Sequence, residues 1–163
     1  MKTSAVLSSS NGHDSVTLTR VDDVLYVVVC WVPQRWDVAA ADPPASEITL
    51  YREGLPDALR QLSDDLAAHL QRPLQDLAGN PFLGSYEFGS PHIALDSSEL
   101  RASHAQLALE FTDAREGFIS TRSNGGGYVS VRWHFNDSFL RVAMRVDITT
   151  LDRFARELAD LVN

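Results

Sequence analysis

The segment from Tyr128 to the C-terminus constrains the fold more than any other. In Tyr128 to Phe135, Val129, Val131, Trp133 and Phe135 alternate with Ser130, Arg132 and His134. In Leu140 to Val146, Leu140, Val142, Met144 and Val146 alternate with Arg141, Ala143 and Arg145. Strict alternation gives each strand one apolar face, and the polar turn through Asn136 and Asp137 joins the two strands as a hairpin. For both apolar sets to share a face, paired positions must sum to an odd number, which predicts Trp133 opposite Leu140 and Arg132 opposite Arg141. Leu151, Phe154, Ala155, Leu158 and Leu161 then recur at helical spacing, with Thr149 and Asp152 placed for a capping-box-like start. This helix must lie on the apolar side of the hairpin.

The rest of the chain supplies more of the same two elements. Ser4 to Asp14 reads as a lead-in or short edge strand. Val16 and Leu18 alternate with threonines, and a two-residue turn at Asp22 and Asp23 pairs Leu18 with Val27 and Val16 with Val29. Tyr26, Val28 and Cys30 are apolar as well, so this second strand is expected to be central and covered on both faces. Pro33 to Ser46 is rich in Pro and Asp and reads as a surface loop, in which Trp36 is either a lid over the core's rim or an exposed anchor for a partner. Glu47 to Arg52 reads as a strand ended by Gly54. Leu55, Leu59, Leu62, Leu66 and Leu70 mark a helix from Pro56 to Gln71. Within the irregular segment Arg72 to His104, short strands are expected at Tyr86 to Phe88 and His92 to Leu95, with a turn at Ser98 to Arg101. Leu107 to Phe111 and Phe118 to Arg122 read as a hairpin turning through Asp113 to Glu116. Ser123 to Gly127 reads as a flexible connection, since three consecutive glycines have no side chains to pack.

Together these readings predict one α+β domain over the 163 residues. Its largely antiparallel sheet would have about six to eight strands, with two main helices (about 56–71 and 149–162) packed on it, and irregular segments at about 33–46 and 72–104. No apolar run approaches the roughly 18 residues that cross a bilayer, and the N-terminus lacks a signal-peptide core. The lone Cys30, inside an apolar run, reads as a buried thiol. A cytoplasmic protein is therefore expected. The formal net charge of −8 opposes binding to nucleic acid or anionic membrane, and favours a cationic partner.

The motifs of common chemistries are missing. The five histidines show no metal-ligand spacing, and with one cysteine neither a metal nor a cofactor is expected. There is no Gly-x-Ser-x-Gly elbow, and the glycine triplet leads into a strand, whereas a phosphate cradle opens a helix. Two constellations remain. Asp57, Asp64 and Asp65 on the outer face of the first helix are either a solvated charge run or, with Trp36, Asp37 and Asp42 on the loop, a candidate surface for a basic partner. The hairpin register gathers Arg132, His134, Arg141 and Arg145 on the face opposite Trp133. They form either an anion site or a set of arginines paired with carboxylates such as Glu47 and Glu110, or turned to water.

Several stretches also follow a known order. They are Gly54-Leu55-Pro56-Asp57-Ala58-Leu59 with Leu62-Ser63-Asp64-Asp65-Leu66, Leu107 to Phe111, Glu116-Gly117-Phe118-Ile119, and Val146-Asp147-Ile148-Thr149-Thr150-Leu151. Over about residues 45 to 163 this pattern resembles the WapI-type immunity proteins and related small uncharacterised actinobacterial proteins. The resemblance implies a β-sheet with a final amphipathic helix, and a protein that neutralises a nuclease-type toxin by binding it, with no catalytic residues. The expected function is non-enzymatic, immunity-like masking of a basic toxin or other cationic protein. The alternatives are a small-molecule or anion-binding domain at the arginine face, and a hydrolase whose site assembles from residues distant in sequence, for example His92 or His104 beside an Asp.

Overall fold

The computed structural model describes residues 1–32, 46–89, 92–94, 105–112, 126–135 and 138–163. The elements run β1 (Lys2–Ser8), β2 (Ser15–Val21), β3 (Val24–Trp31), β4 (Ser46–Glu53), α1 (Asp57–Leu70), the short α2 (Leu74–Leu77), β5 (Gly84–Phe88), β6 (His92–Ala94), β7 (Ala105–Thr112), β8 (Gly127–Phe135), β9 (Ser138–Val146) and α3 (Ile148–Val162). The class is α+β, with antiparallel pairing throughout and two long helices. Among the described residues the strands divide into two sheets, one in the order β1-β2-β3-β4-β6 and the other β5-β7-β8-β9. The expected strands 118–122 and turns 98–101 and 113–116 lie outside the described residues.

Alternation fixed both hairpin registers. Trp133 pairs with Leu140 and Arg132 with Arg141, while Leu18 pairs with Val27 and Val16 with Val29. Asp22 takes φ 52° in the two-residue turn between β2 and β3, a left-handed conformation that Asp tolerates. The inward sets Ala5, Leu7, Val16, Leu18, Leu25, Val27, Val29, Ile48 and Leu50 of the first sheet share one core with Phe88, Leu107, Leu109, Phe111, Val129, Val131, Val142 and Met144 of the second. Leu59, Leu62 and Leu66 of α1 and Leu151, Phe154, Leu158 and Leu161 of α3 complete it.

α3 also closes an edge. The Val6 N–H on β1 donates to Glu157 Oε2 at 2.8 Å, so the helix covers the outer side of that strand. At the C-terminus of the same helix, Arg20 Nη1 donates to the Leu161 carbonyl at 3.2 Å and Arg60 Nη1 to the Val162 carbonyl at 2.8 Å. Two cations thus satisfy carbonyls that the last turn leaves open, where the helix dipole is negative.

The N-cap is Asp147, two residues before the expected Thr149, and its side chain accepts the Thr150 N–H at 2.8 Å. Asp147→Ala is expected to cost about 1 kcal/mol in urea unfolding, and Asp147→Ser to restore most of it. Equal stability of the alanine variant and the parent would remove the cap's role.

Three further sequence expectations change, besides the single sheet, which is two, and the helix cap. β3 is central, but it is not covered on both faces: Tyr26 is 38% exposed and Val28 and Cys30 are half-buried. Consequently Cys30 is not a core thiol; it sits on the outer face, where its Sγ donates to Glu47 Oε2 at 3.3 Å. The uniform hydrophobicity of Leu25 to Val32 had hidden a face that no helix among the described residues covers. Finally, Gly126 and Gly127 are not a linker. A Cβ on Gly126 would overlap the Val146 carbonyl, and Gly127, at φ 90°, opens β8 opposite Val146. Glycine is needed there for close backbone approach.

Candidate functional site

α1 orients its carboxylates through its leucines. With Leu59, Leu62 and Leu66 buried against the core, Asp57 and Asp64 are left exposed on the opposite side. They are seven residues apart, two turns or about 10.5 Å along the axis, and so share one stripe of the helix. Asp65 faces differently. It is half-buried, and its two oxygens are occupied: Oδ1 accepts from Gln61 Nε2 at 2.7 Å and Oδ2 from the Tyr86 hydroxyl at 2.6 Å. Tyr86 belongs to an aromatic group on the second sheet, edge-on to Phe111 at 6.0 Å and stacked with Phe82 at 6.4 Å. Burial, then the bond to Asp65 and its charge, push the Tyr86 phenol well above the usual tyrosine range. The third aspartate of the expected surface is therefore a structural anchor for β5. Trp36, Asp37 and Asp42 lie outside the described residues.

The arginine face resolves mostly into internal pairs. Arg132 Nη2 contacts Glu110 Oε1 at 2.6 Å and Glu87 Oε1 at 3.9 Å, while Arg141 donates through Nε and Nη2 to the buried Ser130 hydroxyl at 3.1 and 2.9 Å. Glu110 thus takes the role expected for it. Glu47 does not, because it stands on β4 in the other sheet. Arg145 is exposed on β9, opposite Tyr128. His134 occupies the register position between Gln106 and Phe139.

One further surface was not foreseen. Across the first sheet, Ser4, Thr19, Tyr26, Tyr51 and His92 occupy successive register positions. The Tyr26 and Tyr51 rings are each 38% exposed, with centroids 6.4 Å apart. The signal available in the sequence was the tyrosine in an otherwise aliphatic strand, since its hydroxyl seeks water or a partner.

Little in these groups suits nucleophilic or metal chemistry. Burial, followed by the hydrogen bond to and charge of Glu47, pushes the Cys30 thiol up, against a weaker opposing bond from Ser15. A protonated thiol is a poor nucleophile. Among the described residues no group of three or more His, Cys, Asp or Glu side chains is placed to share a metal ion. No helix of the described residues is long and apolar enough to cross a membrane. The protein-family models, characterised proteins and solved structures compared with this chain yield no match.

Proposed function

We propose that this chain is a non-enzymatic binding protein that masks a cationic protein partner, in the manner of an immunity protein against a basic, nuclease-type toxin. The observation that carries the reading is the pair Asp57 and Asp64, exposed on one stripe of a well-packed helix in a chain of formal net charge −8. A basic nuclease cleft is shaped to receive a line of negative charge. A rigid helix presenting carboxylates offers such a line, and the opposed fields speed encounter as well as holding the complex. The pattern-level resemblance to WapI-type immunity proteins points the same way.

The test is capture of basic proteins from the source cells on the immobilised chain, followed by identification and measurement of binding to the purified partner. Asp57→Lys with Asp64→Lys is expected to slow association at least about ten-fold at low salt, with the difference shrinking as salt is raised. Asp65 is left intact because of its bond to Tyr86. A partner whose association rate is indifferent to both the double reversal and salt would overturn this docking face, and the absence of any basic partner would overturn the function.

A further inference from the structure

The outer side of the first sheet carries little charge in a chain that is 22% charged. Alternation turns Ala5, Leu18, Val27 and Leu50 into the core, so the residues between such positions face away from it. Register lines up those outward residues in rows across β1 to β4. One row is Ser4, Thr19, Tyr26 and Tyr51, and the next is Val6, Thr17, Val28 and Thr49. Tyr26 and Tyr51 are exposed, and the other six are half-buried. Charge enters only at the corners of the flanking rows. Lys2 on β1 and Glu53 on β4 stand at opposite ends of one flanking row, and Glu47 on β4 ends the other; all three are exposed.

We infer that two copies of this chain pair through this face, sheet on sheet, about a two-fold axis that runs parallel to the strands between β2 and β3. Such an axis keeps each row and reverses the strand order, so β1 lies over β4 of the second copy and β2 over its β3. Strands of the two sheets then stay nearly aligned, as in a β-sandwich. Lys2 meets Glu53 of the second copy, and the symmetry makes that contact twice. Tyr51 lies over Ser4 of the second copy and Tyr26 over its Thr19, so large side chains face small ones and the two surfaces interdigitate. The Ser4 and Thr19 hydroxyls already share a hydrogen bond of 3.0 Å, so covering them does not strand both. An axis across the strands is disfavoured, because it reverses the rows and sets Glu53 over Glu47 of the second copy, also twice.

The area fits a reversible pair. β1 to β4 are seven or eight residues long. At about 3.3 Å per residue and about 4.8 Å per strand they present a face of roughly 25 Å by 19 Å, or about 480 Å² in projection on each copy. The accessible area of a corrugated face exceeds its projection, so the two copies together reach the roughly 1,000 Å² at which specific interfaces begin. The net charge of −8 repels two copies at a distance, and the uncharged rows are where that repulsion is least. A small interface between like-charged molecules makes a weak, concentration-dependent dimer. This inference goes beyond the proposed masking of a basic partner and does not rest on it, since it uses the side of the first sheet turned away from the core and neither Asp57 nor Asp64.

The test is sedimentation equilibrium of the full chain from about 1 μM to about 1 mM, which is expected to show a reversible monomer–dimer equilibrium. Tyr26→Glu sets a charge in the middle of the face without touching the core, and should weaken the dimer at least about ten-fold while thermal unfolding of the monomer stays close to the parent's. Lys2→Glu and Glu53→Lys should each weaken it about five-fold, although they move the net charge in opposite directions, and the double exchange should restore the parent affinity. A protein that stays monomeric at about 1 mM overturns the inference and leaves the face to some other occupant. A dimer that Tyr26→Glu leaves intact uses another surface, and a double exchange that fails to restore affinity means that the copies do not stack in this orientation. Either result overturns it as well.

Discussion

Phe154→Ala is expected to destabilise the protein by about 3–5 kcal/mol in urea unfolding, the range for removing a large aromatic side chain from a packed core. The ring is fully buried and sits in the cluster that unites both sheets and both long helices. Its loss therefore leaves a cavity where several elements meet. Domains of this size have about 5–15 kcal/mol of stability in total, so the variant should have a much lower midpoint and partial unfolding at physiological temperature. Arg156→Ala, two residues along on the exposed side of the helix and paired with Asp152, should change stability by less than about 0.5 kcal/mol. A loss below about 1 kcal/mol for Phe154→Ala would mean that α3 is docked on the sheets and not part of their core.

The second large effect separates two adjacent carboxylates. Asp65→Ala should cost about 1–3 kcal/mol, because it removes the acceptor of a phenol that is only 6% exposed. Asp64→Ala, one residue earlier and turned to water, should cost less than about 0.5 kcal/mol. The same bond gives a pH signature. An unfolded tyrosine ionises near about pH 10, whereas burial and Asp65 raise the folded Tyr86 above that. With the folded value raised, the unfolded state releases its proton first. The stabilisation is thus complete below about pH 10 and is lost as pH climbs toward the folded value. Tyr86→Phe should flatten that part of the stability curve. Equal alkaline slopes in parent and variant would show that the phenol does not titrate differently in the two states.

The contrast between Asp64 and Asp65 also shows how far a candidate site was legible. Helical spacing put both on the first helix, and composition marked both as available to a basic partner. It could not tell that Tyr86, far along the chain and after two prolines, would return to take one of them. The arginine face was legible in register, since alternation placed Arg132 opposite Arg141. Which cation stayed open depended on β7, whose Glu110 reached Arg132 and left Arg145 exposed.

The sequence by itself determined the local elements and their pairing. Period-two alternation in Val129 to Phe135 and Leu140 to Val146 admits only registers in which paired positions sum to an odd number, and the leucine and phenylalanine spacing of α1 and α3 admits one buried side for each helix. Only the tertiary structure decided that the described strands form two sheets, that α3 covers the β1 edge, and that Tyr26 and Cys30 face outward. Those outcomes depend on which element arrives to cover a surface. That is settled by contacts between residues more than a hundred positions apart, such as Val6 with Glu157 and Ser10 with Arg145, for which periodicity along the chain holds no record.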